Sequence, residues 1–439
     1  MAERAGRSKA KAPASEGIKI PQELIDRIVD HVAAPLRDSS GHLILRKNAQ
    51  IAKDLFSLTL VPRLEAGSSR VLFGEMTIGD GERTVSAFAG AVKISPRMAR
   101  AITSLIIDLD DCDVYRSAPI EDLEVILASL KGLVKLRIHD SRGNTRPSLR
   151  RHGRPAEGEV VKREGFKIEE LTLSSLDVDA VLECLALFDS VRELNLESIF
   201  CSSVPIFGLA EDYTPRQIQV QTLRVTGCHP AIAGLLSKAI NTQYPVETIG
   251  LYDISFALEY NPLSNLLRNI GKDSSSVTLE VTNRWARNPH SVHPKVLFSA
   301  LADFWSLRTL HIYEDSDVDE CEKLLFFCLI PHLPSDLHRF RLVLRYYKSV
   351  IEHLQSSEMV FAIETFLARY PRLATFEITV DLREFANPVD PATETHDTVA
   401  KLKTELSYQY RDRVAFVTAC SPYYVDLTHH KISLGTLDM

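Results

Sequence analysis

Along most of this chain an apolar residue is followed by two mostly polar residues, a leucine or phenylalanine, a variable residue and another apolar one. Ile168-Glu169-Glu170-Leu171-Thr172-Leu173 has that form, and 191–196, 307–312 and 373–378 repeat it. Alternation of this kind predicts a short strand with one buried face. Placing the middle apolar residue of each unit in one column gives Leu105, Leu136, Leu171, Leu194, Leu223, Ile249, Leu279, Leu310, Phe340 and Phe376. Their spacings run from 23 to 36 residues. Recurrence at roughly thirty residues predicts stacked units, none able to bury its apolar face without a neighbour.

Between these strands the apolar spacing becomes helical. Ile120, Leu123, Ile126, Leu127 and Leu130 fall on one stripe, as do Val178, Val181, Leu182 and Leu185. Val360, Ile363, Phe366 and Leu367 do the same near the end of the series. Strand and helix therefore alternate, which predicts an α/β architecture. The expected form is a leucine-rich-repeat solenoid, a horseshoe with helices on its convex side. Its units are longer and less even than the usual twenty to about twenty-nine residues.

The remaining segments divide the chain further. Residues 1–17 read as a disordered basic tail, and 18–78 as a small N-terminal helical module. Residues 79–384 hold the irregular repeats, interrupted at 141–167 by a polar, arginine-rich surface insertion containing Arg150 and Arg151. Residues 385–439 are expected to cap the array: a loop through Asn387–Pro391, then a helix near 398–410.

Composition narrows the function classes. Of 439 residues, 45% are hydrophobic and 25% charged, the balance of a folded domain. No run of about twenty apolar residues is present to span a membrane. A formal charge of −7 argues against general nucleic-acid binding, which needs concentrated lysine and arginine. The seven cysteines are scattered without a Cys-x-x-Cys pair, as expected of small buried hydrophobes in a reducing cytoplasmic or nuclear compartment. No serine elbow, His-Glu-x-x-His or phosphate-gripping glycine loop occurs. His290 with His293, and His429 with His430, lack the further ligands a zinc site needs. The expectation is a protein that is no enzyme and holds no cofactor or metal.

At 20–32 the chain resembles the opening helix of an F-box domain: Ile20, Pro21, Glu23, then Leu24, Ile25, Ile28 and Val29 on one face. Leu60, Val61 and Arg63 are similar to the family's middle, although Leu64 sits near where a tryptophan is expected. Arg70, Leu72 and Phe73 resemble its close. The whole chain looks like the F-box-like leucine-rich-repeat proteins of mushroom-forming fungi. That resemblance implies a substrate receptor of a Skp1–cullin–F-box ubiquitin ligase, with Pro21, Leu24, Ile25, Ile28 and Val29 engaging a Skp1-like partner and an unknown protein target held on the repeats. Read from the residues alone, the alternative is an interaction scaffold unconnected to ubiquitin transfer.

Side chains at the variable strand position point away from the core, because neighbours on a strand alternate. Thr172, Asn195, Arg224, Glu280, His311, Arg341 and Glu377 occupy it and are the target-binding candidates, with Arg150 and Arg151 on the insertion. Acidic runs follow two strands, at 108–113 and 314–322, where they either solvate and cap a helix start or attract a basic target.

Overall fold

Among the described residues, twelve strands form one sheet and follow one another across it in chain order, every adjacent pair parallel. The computed structural model describes residues 73–78, 82–109, 118–140, 149–150, 165–201, 216–229, 231–252, 265–270, 277–283, 301, 304, 307–314, 333–345, 351–352, 354–382 and 389–419. The strands are β1 (Glu75–Ile78), β2 (Ser104–Asp108), β3 (Ala118–Pro119), β4 (Lys135–His139), β5 (Leu149–Arg150), β6 (Phe166–Ser174) and β7 (Phe188–Glu197). They continue with β8 (Gln219–Thr226), β9 (Thr248–Tyr252), β10 (Val277–Asn283), β11 (Leu307–Glu314), β12 (Arg339–Arg345), β13 (Thr375–Asp381) and β14 (Val414–Ala419). β3 and β5 pair separately as a two-stranded sheet. Helices α1 (Glu82–Ile94), α2 (Pro96–Ala101), α3 (Ile120–Ser129), α4 (Val178–Leu185), α5 (Ala231–Ala239), α6 (Ser357–Arg369), α7 (Val389–Glu405) and α8 (Tyr408–Arg411) lie among the strands in sequence.

The ten middle apolar residues form a single row. Leu105 pairs with Leu136, Leu136 with Leu171, and the register continues through Leu194, Leu223, Ile249, Leu279, Leu310 and Phe340 to Phe376. Each is 0 or 1% exposed. The row extends to Met76 in β1 and Val414 in β14. Because the side-chain period is two, a slip of one residue would send this whole row to solvent, so burial of one face fixes the register. The second apolar row, two residues on, is buried with it. Its members include Ile138, Leu173, Leu196, Ile312 and Leu342.

The helical stripes complete the core. Ile120, Leu123, Ile126 and Leu127 of α3 are buried, as are Val178, Val181 and Leu185 of α4 and Ile363, Phe366 and Leu367 of α6. At the β12–β13 end an aromatic cluster fills the gap between helix and sheet. Phe366 lies 4.9 Å from Phe340, 5.3 Å from Phe376 and 4.8 Å from Tyr370, centroid to centroid.

The exits of three consecutive strands share one turn. Ser175, Ser198 and Gly227 follow β6, β7 and β8 with φ of 54°, 52° and 58°. This is the left-handed region, costly for serine and free for glycine. The cost is offset by a ladder: Ser175 N–H donates to Glu197 O at 2.8 Å, Ser198 N–H to Thr226 O at 2.7 Å and Gly227 N–H to Tyr252 O at 2.9 Å. The next residues, Leu176, Ile199 and Cys228, turn into the core. After the first of these turns, the Asp177 side chain accepts from Asp179 N–H at 3.0 Å and so caps α4.

Two expectations are corrected here. The fold is a mixed α/β one, but its sheet is neither strongly curled nor closed, and so it is not a leucine-rich-repeat horseshoe solenoid. β6 and β7 are 9 and 10 residues long where short strands were expected, and β1 and β14 remain as unjoined ends. The C-terminal helix also starts earlier: α7 begins at Val389, with Pro391 in the first turn where its missing N–H costs nothing. β14 then adds a strand to the sheet.

The candidate interaction face

The apolar rows and helices occupy one side of the sheet, so the intervening rows form its opposite face. The row one residue beyond the middle apolar residue runs Arg137, Thr172, Asn195, Arg224, Gly250, Glu280, His311, Arg341, Glu377 across successive strands. Seven of the nine target-binding candidates, Thr172, Asn195, Arg224, Glu280, His311, Arg341 and Glu377, therefore stand in one line. The other two do not join it. Arg150 lies on β5 in the separate two-stranded sheet, and Arg151 falls outside the described residues. Pro21, Leu24, Ile25, Ile28 and Val29, His290, His293, His429 and His430 also fall outside them, as does most of both acidic runs.

The row is laced together by its own charges. Arg137 Nη2 lies 3.3 Å from Glu197 Oε2; the two are on β4 and β7, so the pair spans β6. Thr172 and Ser174 sit on β6 and are only 8 and 5% exposed, and Asn195 beside them only 6%. The alternation that placed Thr172 and Asn195 on this face is right about direction. It says nothing of longer neighbours folding over them. Arg224 bonds Glu193. Arg341 Nε lies 2.7 Å from Glu377 Oε1 and donates to Thr379 Oγ1 at 3.3 Å. Lys135 and Glu170 pair at 2.7 Å nearer the strand entrances, and the bond to Glu170, against some desolvation, raises the lysine pKa.

At the middle of the face, Tyr252 O–H donates to Glu280, and His311 Nδ1 lies 3.4 Å from the other Glu280 oxygen. Burial alone would raise the Glu280 pKa; the hydrogen bonds from His311 and Tyr252, with the charges of His311 and Arg224, outweigh it and bring it below the usual glutamate range. Tyr252 moves the other way, pushed up by burial and by the Glu280 charge, so it holds its proton and serves as a donor. Gly250 makes this arrangement sterically feasible. A Cβ there would meet Tyr252 Cε2 at 2.5 Å and its Cζ and hydroxyl oxygen at 2.9 Å, so the ring lies against bare backbone.

Arg137, Gly250 and Tyr252 were missed from the sequence. Arg137 was legible, since it holds the same column as Thr172. Gly250 also holds the column, after Ile249, but its role with Tyr252 was not legible, because only the folded pairing of β8, β9 and β10 brings them beside Glu280.

Among the described residues no group of three or more His, Cys, Asp or Glu side chains is arranged to hold a metal. None of the helices there is long and apolar enough to cross a membrane. No family model matches the chain, and no curated protein and no solved structure does either. The resemblance to F-box-like leucine-rich-repeat proteins of fungi is thus withdrawn: it has no family support, and the sheet lacks the shape it implied.

Proposed function

We propose that this chain is a non-enzymatic protein-binding adaptor or scaffold that holds a partner protein on the polar face of its sheet. One observation carries the reading: Arg137, Arg224, Glu280, His311, Arg341 and Glu377 share one in-register row on the face away from the apolar core. Long polar side chains held by cross-strand bonds lose little freedom on binding, which lowers the entropic cost of association. Mixed signs of charge select a complementary surface and disfavour a uniformly charged one such as nucleic acid. The reading does not depend on residues 18–78. It suits a cytoplasmic or nuclear compartment, where the buried thiols of Cys184 and Cys228 stay reduced.

The test is a photoreactive amino acid placed at His311 on the row, or at Phe361, which is exposed on α6. In cells the protein crosslinks a defined partner from position 311 and not from 361. The purified partner then loses affinity when Arg224 and Arg341 are both changed to Glu. Equal crosslinking from both positions, or binding unchanged by the double substitution, refutes the reading.

A further inference from the structure

The centre of the polar face differs from its flanks in how its carboxylate is held. Glu170, Glu197, Glu193 and Glu377 are paired with Lys135, Arg137, Arg224 and Arg341, all permanently charged at neutral pH. Glu280 takes its hydrogen bonds from a phenol and from an imidazole that is charged only when protonated. Among the described residues no lysine or arginine is bonded to the Glu280 carboxylate at the middle of the row; the charge of Arg224 reaches it only through space. The Glu280 side chain is 21% exposed and His311 25%, so the charge is in reach of a partner.

Two tyrosines stand one row further along, on the strands either side of the one that carries Glu280. Gly250 and His311 are the in-register neighbours of Glu280 on β9 and β11. Tyr252 and Tyr313 stand two residues further along those strands and so on the same face. Strand spacing puts their attachment points about 9–10 Å apart, with Thr282 in register between them and Glu280 two residues before it on the same strand. The two phenols are near enough to interact electrostatically. Tyr252 is fixed in place by Gly250 beneath it and by its bond to Glu280.

A carboxylate beside two aromatic residues matches a cation. Ring faces attract an ammonium or guanidinium head, and the carboxylate accepts its N–H bonds. An anion suits the place less well, because Arg224 and Arg341 already serve Glu193 and Glu377. We propose that Glu280, Tyr252 and Tyr313 form a subsite for one basic side chain, lysine or arginine, of the bound partner. This rests on the scaffold reading and adds the chemistry of what is recognised.

The test uses the full chain and three fluorescent glycine–serine peptides carrying arginine, citrulline or glutamate at the same positions, with affinity read by polarisation. The arginine peptide binds, and the isosteric but neutral citrulline peptide binds at least about tenfold more weakly, the scale of a lost charge-assisted contact. Glu280→Gln and Tyr313→Leu each weaken the arginine peptide by about as much, with circular dichroism showing the fold retained. Asp412→Asn removes the same formal charge from an exposed site at the end of α8 and leaves binding unchanged. The proposal is overturned if arginine and citrulline peptides bind alike, if the glutamate peptide binds best, or if Asp412→Asn weakens binding as much as Glu280→Gln. Should Glu280→Gln fail to fold, Tyr313→Leu decides. Loss of the subsite with continued crosslinking from position 311 sinks this proposal alone; loss of both sinks the scaffold reading as well.

Discussion

Gly250→Ala reports directly on the centre of the polar face. In a strand interior the substitution ordinarily stabilises, by about 0.5–1 kcal/mol, because alanine loses less backbone freedom on folding. Here the new methyl would lie 2.5 Å from Tyr252 Cε2 and 2.9 Å from Cζ, well inside contact distance. The ring must move, and its hydroxyl then leaves Glu280. A hydrogen bond to a charged group contributes about 1.5–3 kcal/mol. The expected net effect is a destabilisation of about 1–2 kcal/mol. The sign reverses once the obstacle is gone: in a Tyr252→Ala background, Gly250→Ala stabilises by about 0.5–1 kcal/mol. Urea denaturation of the four proteins, analysed as a double-mutant cycle, measures both values. An equal effect of Gly250→Ala in the two backgrounds would refute the claim that the glycine is there to seat the tyrosine ring.

Three further outcomes follow from the same contacts. Phe366→Ala should cost about 3–5 kcal/mol by denaturation, since the ring is fully buried among Phe340, Phe376 and Tyr370. Phe366→Leu should cost clearly less, and equal losses would mean the aromatic contacts contribute little. Glu280 has a folded pKa below its ordinary 4.5, so its contribution is complete above that value and disappears as the pH falls through the folded pKa. Glu280→Gln should therefore flatten the acid limb of the stability–pH profile below about pH 4.5, and an unchanged limb would contradict the bonding described. Burial pushes the thiols of Cys184 and Cys228 up to about 12, so iodoacetamide at pH 8 should label neither until urea unfolds the chain. Labelling of the native protein at the rate of a free thiol would show that these sites open locally.

Strand positions were legible because burial and alternation act within one short segment. Leu279, for example, pairs with Ile249 and Leu310, since neighbours on both sides constrain it. The direction of the variable position was equally legible, and it brought Arg224, Glu280, His311, Arg341 and Glu377 into one row. What the sequence hid were relations between strands. The ion pair of Arg137 with Glu197 joins residues 60 apart in sequence across an intervening strand. The burial of Thr172 and Ser174 on that intervening strand depends on side-chain length at neighbouring positions and on no motif. The seating of Tyr252 over Gly250 is local, yet its meaning depends on Glu280, which another strand supplies.

The misreading of the overall shape has a physical origin of the same kind. The column of apolar residues requires only that parallel strands pair in register with one face covered, and an open sheet satisfies that as fully as a curled one. Curl depends on the width of the covering layer relative to the sheet. Packed helices stand about 8–10 Å apart and strands about 4.8 Å, so a helix beside every strand forces a bend. Unequal connections, 23 residues in one unit and 36 in another, need not supply a layer of constant width. Strand length acts with this: nine- and ten-residue strands such as β6 and β7 carry the usual right-handed twist over a longer span than short ones do. The consequence for binding is concrete. For the adaptor proposed above, a face that is not strongly curled must gain specificity from the charges and rings standing on it. That places the burden of recognition on the row through Arg224, Glu280 and Arg341, with Tyr252 and Tyr313 beside it.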